Sequence, residues 1–273
     1  MLKKEKICSA LIIAVVLVSF TQIGEIHLAK ASSYEFFDGF ENGFSQWDGI
    51  VKGFPEDPLI NSTIIHSGAS SMYCYSNHGL CKNIPLSNVI DAQFYWNLEY
   101  ADCADCQLTH TVDVRNTETQ NIFAAVYFQC ESDWKHATLE LKYFDGDVCH
   151  YIYCSTNGTI PFEAWKPTIW HTIRLKVCLE SNETANDGSY SVWLDGENVA
   201  TVTNVDTMDS VANQVQLGHQ STFFFYAFYD DVTIKADQTE QIPEFSVLGI
   251  LLLGISTTAT FLALKKKRKI LRY

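Results

Sequence analysis

The chain has 273 residues, with 32 acidic and 19 basic side chains and a formal net charge of −13. That length allows one or two domains. The acid excess argues against nucleic acid and anionic membrane surfaces as partners, because both require a basic patch.

Both ends read as targeting segments. Lys3, Lys4 and Lys6 precede an apolar run over residues 7–20, and Ala29-Lys30-Ala31 has the form of a cleavage site. Residues 1–31 therefore read as a signal peptide removed before Ser32. Residues 245–264 carry no charge, and at ~1.5 Å of rise per residue they span roughly 30 Å, one hydrocarbon core. Lys265, Lys266, Lys267, Arg268 and Lys269 follow at once. This basic tail, residues 265–273, is expected in the cytoplasm, with residues 32–244 outside the cell. The outer part holds 30 acidic against 9 basic residues, a net charge of −21. Three sequons, starting at Asn61, Asn157 and Asn182, agree with an exterior location.

Cys8 leaves with the signal peptide. Cys74, Cys81, Cys103, Cys106, Cys130, Cys149, Cys154 and Cys178 remain, an even set that outside the cell reads as disulfides. Cys74 and Cys81 flank Ser76-Asn77-His78-Gly79 and are the best single candidate pair. Cys149 and Cys154 are five apart, so in one strand they face opposite sides and should pair elsewhere. A four-thiolate zinc site from Cys103, Cys106, Cys149 and Cys154 is chemically adequate, but the oxidising exterior favours disulfides.

Between the ends the pattern is that of strands. Ile90, Ala92, Phe94, Trp96, Leu98 and Tyr100 alternate with polar neighbours. Leu108, His110, Val112 and Val114 oppose Thr109, Thr111, Asp113 and Arg115. Residues 122–129 are apolar on both faces, as in a central strand. Residues 138–143, 148–153 and 222–234 continue the alternation, with Phe144-Asp145-Gly146-Asp147 as a turn. In residues 170–202, Ile173, Leu175 and Val177 alternate with polar residues, a polar loop follows, and Asp195-Gly196 marks a second turn. No repeat and no long helix outside the two terminal segments is read. About a dozen short strands imply two antiparallel sheets packed face to face over residues 32–238.

Several of these stretches carry a family resemblance. WHTIRL (170–175), YSVWLDGENVA (190–200), QVQLGHQ (214–220) and YDDVTI (229–234) are similar to the concanavalin A-like lectin/glucanase jelly roll, laminin-G-like subgroup. The opening stretch 38–47, with Asp38, Glu41, Phe44 and Trp47, resembles the first strand of the same modules. The likeness covers residues 36–234. It implies an all-β, two-sheet antiparallel jelly-roll sandwich and leaves activity open, since the superfamily contains lectins, adhesion modules, hydrolases and lyases. It also implies a structural calcium between chain start and chain end, for which Asp38, Glu41 and Asp231 are the acidic candidates. Residues 239–244 form a short linker. Within it begins Ile242-Pro243-Glu244-Phe245, which resembles the sorting signals of archaeal surface proteins. That likeness implies cleavage and re-anchoring by a membrane transpeptidase; retention as a one-span anchor is the alternative.

No catalytic set is read. The glucanase pattern Glu-x-Asp-x-x-Glu is approached only at Glu131, Asp133 and His136, where the second glutamate is missing. The motifs of jelly-roll alginate lyases are not visible, and His110 and His150, on apolar faces, read as packed core residues. The polar strand faces offer Tyr95, Asn97, Arg115, Tyr127, Gln129, Tyr151, Tyr153 and Trp193, with Trp134 in a neighbouring loop. Of these, Tyr95, Arg115, Tyr127 and Trp134 are taken as ligand-binding residues. The resulting expectation is a surface-anchored carbohydrate-binding or adhesion module without catalysis. Its partners would be a glycan or cell-envelope polymer, and the membrane through the C-terminal helix. A diverged glycoside hydrolase or polysaccharide lyase, or a purely structural envelope protein, are the alternatives.

Overall fold

Strand β5 (Gly79–Ala101) takes part in both layers of the protein. The computed structural model describes residues 33–51, 57–75, 78–101, 108–130, 136–154, 160–161, 169–180, 186–208, 211–218 and 225–238. These belong to one compact unit, Ala31–Thr239, and among them there is no helix. The segments read from sequence as signal peptide, linker, membrane span and basic tail lie outside the described residues.

Before β5 come β1 (Ser33–Asp38), β2 (Gly49–Val51), β3 (Leu59–Asn61) and β4 (Ser71–Tyr75). After it come β6 (Leu108–Asn116), β7 (Asn121–Cys130), β8 (His136–Asp145), β9 (Val148–Cys154) and β10 (Ile160–Pro161). The chain then forms β11 (His171–Cys178), β12 (Gly188–Leu194), β13 (Glu197–Val205), β14 (Ala212–Leu217) and β15 (Phe225–Gln238). All pairings are antiparallel. The first half of β5 pairs with β14, which leads through β6 and β7 to β8 and its edge partners β9 and β10. The second half pairs with β11 on one side, continuing to β12 and β13, and with β15 on the other.

The change of partner falls at Pro85, which has no ladder hydrogen bond to donate. The register with β14 slips there, and Ser87 Oγ donates to Pro85 O at 2.8 Å. The two halves of β5 therefore belong to two layers whose inner faces meet. Trp96 of β5 packs on Phe128 of β7 at 5.2 Å between ring centroids, and Tyr190 of β12 packs on Tyr143 of β8 at 5.7 Å. Burying one such aromatic, ~150–250 Å² at ~25 cal/mol per Å², stabilises the fold by roughly 4–6 kcal/mol. Ile173, Leu175 and Val177 are all fully buried, as their alternation predicts. Asp195 and Gly196 have φ of 50° and 82°, the two positive values that a tight hairpin of this hand requires.

The terminal strands lie side by side: β1 pairs with β15 from Ser33↔Asp237 to Asp38↔Val232. Upstream, the same edge of β15 pairs instead with β4, from Tyr226↔Tyr75 to Tyr229↔Met72. Asp230 and Asp231 sit at this seam, in an irregularity opposite β5.

Candidate functional site

Antiparallel partners that lie directly opposite one another point to the same side of a sheet. In the first layer this rule aligns two lateral rows on the outer face. One runs His110, Tyr127, Glu140, Tyr153 across β6, β7, β8 and β9. The other runs Cys81, Gln216, Asp113, Ala125, Lys142, Tyr151 from β5 to β9. From β6 to β9 each row covers about 14 Å at the usual strand spacing.

His110 reaches this face through an irregularity. His110 pairs with Tyr127 and Val112 pairs with Val126, so Thr111 is an extra residue in β6. Thr111 is buried, and its hydroxyl donates to Val126 O at 2.8 Å. The bulge turns His110 to the Asp113 side of the sheet, where it is packed and 3% exposed, buried as its alternation indicates but on the other face. Its ring lies 4.9 Å from that of Tyr127, and Nε2 is 3.3 Å from Asp113 Oδ2. Asp113 is fully buried and grips Arg115 from both sides of its carboxylate: Arg115 Nε donates to Oδ1 at 2.7 Å, and Nη2 donates to Oδ2. The pair is bidentate, which fixes the guanidinium plane.

Electrostatics set the protonation of this face. Burial, reinforced by the Asp113 carboxylate, pushes the Tyr127 phenol far above its usual range, so it stays protonated. Burial also raises Glu140 above an ordinary carboxylate. A chain of amides borders the rows: Gln216 Nε2 donates to Gln214 Oε1 at 2.6 Å, and Gln214 Nε2 donates to Asn83 Oδ1 at 2.8 Å. The Oε1 atoms of Gln216 and Gln129 are buried and accept no hydrogen bond from the protein among the described residues. At the edge, Tyr151 and Tyr153 are 52% and 65% exposed, and Lys142 Nζ lies 5.8 Å from the Tyr151 ring.

The arrangement can hold a sugar chain. Aromatic rings offer flat apolar platforms, while amide, guanidinium and carboxyl groups bond hydroxyls. Its two carboxyls, Asp113 and Glu140, stand two strands and two residues apart, about 12 Å between Cα atoms. Asp113 is also committed to Arg115.

Of the ligand-binding residues expected from sequence, Arg115 and Tyr127 come together here, with Gln129, Tyr151 and Tyr153 beside them. Tyr95 does not. It lies on the outer face of the other layer, stacked on His66 at 3.5 Å. Trp134 lies outside the described residues, as does the stretch 131–135. Asn97 is fully buried rather than presented on a polar face. His110, Asp113, Glu140 and Gln216 were not expected. For His110 the only signal is the bulge, which the alternation of LTHTVDVR conceals.

The three calcium candidates are placed differently. Asp38 is buried and turned inward: it accepts from Phe40 N at 2.8 Å and Trp47 Nε1 at 2.7 Å. It anchors the first loop. Glu41 and Asp231 both bind the turn 66–70. Glu41 Oε1 accepts from Ala69 N at 2.6 Å; Asp231 meets His66 Nδ1 and Ser67 Oγ, each at 2.7 Å. Gly68 has φ 68°, the left-handed region that favours glycine, and a Cβ there would displace the Glu41 carboxylate from the turn. Asp230 accepts from His66 N and Ser67 N. Among the described residues no three His, Cys, Asp or Glu side chains gather as a metal site.

The expected pairing of Cys74 with Cys81 does not form. Cys74 is buried and donates to His78 O at 2.9 Å, whereas Cys81 lies in the outer row beside Gln216. Cys74, Cys81, Cys149, Cys154 and Cys178 all carry free thiols. Cys103 and Cys106 lie outside the described residues.

No family model and no curated protein sequence matches the chain. Solved structures do. The cellulose-induced protein Cip1 is similar, with a TM-score of 0.50 at 16% identity, covering 73% of this chain and 96% of that one. An endo-β-1,4-glucuronan lyase from Trichoderma reesei has a TM-score of 0.49 at 16% identity, covering 76% and 96%. A β-glucanase from Bacillus licheniformis has a TM-score of 0.45 at 10% identity, covering 75% and 98%. The protein thus shares an antiparallel β-sandwich fold of the jelly-roll kind with Cip1.

Proposed function

We propose that the outer face of the first layer is a polysaccharide-binding surface. The observation that carries this reading is the exposure of Tyr151 and Tyr153 in the same lateral rows as Lys142, Asp113, Glu140 and Tyr127. Soluble proteins bury most of their aromatics, so two exposed rings at one end of rows that carry an amide relay at the other favour a hydroxyl-rich ligand. Gln216 Oε1 adds a buried acceptor that a sugar hydroxyl can satisfy. The test is retardation of the protein in gels containing neutral and uronate-bearing polysaccharides. A Tyr151→Ala/Tyr153→Ala variant should migrate as if no polymer were present; unchanged retardation would overturn the reading.

A second reading is favoured by the His110–Tyr127 contact. Cleavage of a uronate-bearing chain by elimination requires a base to take the proton beside the carboxylate and an acid to protonate the departing oxygen. The electron pair of the broken C–H bond becomes the new C=C bond as the C–O bond breaks. In this reading His110 would take the first role and Tyr127, held protonated by burial and by Asp113, the second. Product carrying a new double bond absorbs in the ultraviolet. Its release by the parent chain, abolished in His110→Asn with binding retained, supports this reading.

Calcium is proposed only as a tie for the turn 66–70. Glu41 and Asp231 would hold the ion as hard oxygen donors, and it would supply a cross-link between the turn and β15. We further propose display at the cell surface through the C-terminal segment, supported by its apolar length and basic tail.

A further inference from the structure

The opposite side of the sandwich carries a second constellation. On the outer face of the second layer, register places Gln93 of β5, Arg174 of β11 and Trp193 of β12 in one lateral row. Thr172 belongs to the next row, opposite Tyr95. Arg174 is held on two sides. Its Nε and Nη2 donate to Asp91 Oδ1 and Oδ2 at 2.7 and 2.5 Å, and its guanidinium carbon lies 4.5 Å from the Trp193 ring centroid. Gln93, Thr172, Arg174, Trp193 and Gly196 line a hollow of about 110 Å³. Gly196 keeps one rim open: a Cβ there would meet nothing within 4 Å.

The hydrogen-bonding groups of this hollow are unevenly used. Among the described residues, the Gln93 amide and the Thr172 hydroxyl make no bond to the protein, although Thr172 N donates to Asp195 Oδ1 at 2.8 Å. Two of the three guanidinium nitrogens of Arg174 face Asp91, which neutralises its charge and leaves the third as a donor. An indole wall, a neutralised guanidinium, an amide and a hydroxyl are the groups that a single uncharged sugar ring needs. An anionic ligand is disfavoured, because Asp91 already satisfies Arg174 and Asp195 stands beside Thr172. The volume accepts one ring rather than a chain.

We propose that this hollow is a second, independent site for one neutral hexose unit, on the layer opposite the polysaccharide surface. An arginine clamped between a carboxylate and an indole is also a means of stabilising a sheet face. The two roles separate by measurement. The full chain is titrated calorimetrically with methyl β-glucoside, methyl β-galactoside and methyl α-mannoside. At least one is expected to saturate with one equivalent. Gln93→Ala and Thr172→Val, which leave the Arg174–Trp193 stack in place, are each expected to weaken that sugar by about threefold or more, and Trp193→Ala by about tenfold or more. Tyr151→Ala/Tyr153→Ala is expected to leave it unchanged while losing the polysaccharide. Three results would overturn the proposal: no saturable binding, Gln93→Ala and Thr172→Val binding like the parent, or loss of the hexose in the Tyr151/Tyr153 variant. Loss of polysaccharide binding alone bears only on the first surface.

Discussion

His110 and Asp113 face one another, Nε2 to Oδ2 at 3.3 Å, because Thr111 is one residue too many for the strand it belongs to. In an unbroken strand, residues three apart point to opposite sides. The bulge cancels that difference, and a histidine, a carboxylate, an arginine and a tyrosine come to share one surface.

Asp113→Asn tests that arrangement. It weakens the bidentate grip on Arg115 and removes the charge beside Tyr127. A hydrogen bond to a charged group is worth about 1.5–3 kcal/mol, so chemical denaturation is expected to show a loss of that order. The Tyr127 phenol should also ionise at lower pH, as read by NMR of ring-labelled tyrosine. A stability equal to that of the parent would mean that the pair contributes nothing.

The pH dependence has a defined sign. Burial raises the carboxyls of Asp38, Glu140, Glu180 and Asp230 above their ordinary range. Each binds its proton more readily when folded, so its contribution is fully present below the unfolded pKa and is lost as pH rises through the folded one. Asp195 acts oppositely. Burial pushes it up, but its bonds from His171 and Thr172 N outweigh this and hold it low. Its contribution is lost only in more acid solution. The melting temperature is therefore expected to rise from pH 7 to about pH 5; a fall over that interval would contradict the sign.

Calcium should raise the melting temperature by several degrees if Glu41 and Asp231 hold it, about 2.7 kcal/mol at a hundredfold excess over Kd. Asp231→Asn, which keeps a residue tolerant of φ 46°, should abolish the shift. An unchanged melt with calcium and with chelator would leave the turn tied by hydrogen bonds alone.

Thiol labelling checks the cysteine assignments. Burial pushes the Cys74 and Cys154 thiols up to about 12, so both should resist alkylation until the protein unfolds. Cys149, on the outer face, should react in the folded chain, and Cys81, whose thiol burial and Asp48 also raise, should react more slowly. A peptide linking Cys74 to Cys81 by a disulfide would contradict the fold at β4 and β5.

Much of the architecture was legible because alternation has one dominant cause. Ile173, Leu175 and Val177 are apolar at every second position, and that alone assigns their face. Asp195-Gly196 was legible because so few residue pairs accept two positive φ values. The failures occur where one residue changes the phase or the partner of a strand. Thr111 hid His110, and the pairing of β4 with β15 but of the start of β5 with β14 put Cys81 on a different side from Cys74. Tyr95 and Arg115 both lie on polar faces, as alternation indicates, but a single strand's pattern does not say which of two sheets it joins. Asp38 and Asp231 look alike in sequence; only the fold shows that one serves Trp47 and the other the turn at Ser67.

The most direct measurement is the affinity of the full chain for whichever polysaccharide retards it, compared with that of Tyr151→Ala/Tyr153→Ala at matched folding. Two exposed aromatic platforms at about 1 kcal/mol or more each imply a weakening of roughly thirtyfold or greater. That result would place the ligand across the outer face of the first layer. Equal affinities, with both proteins folded, would contradict it.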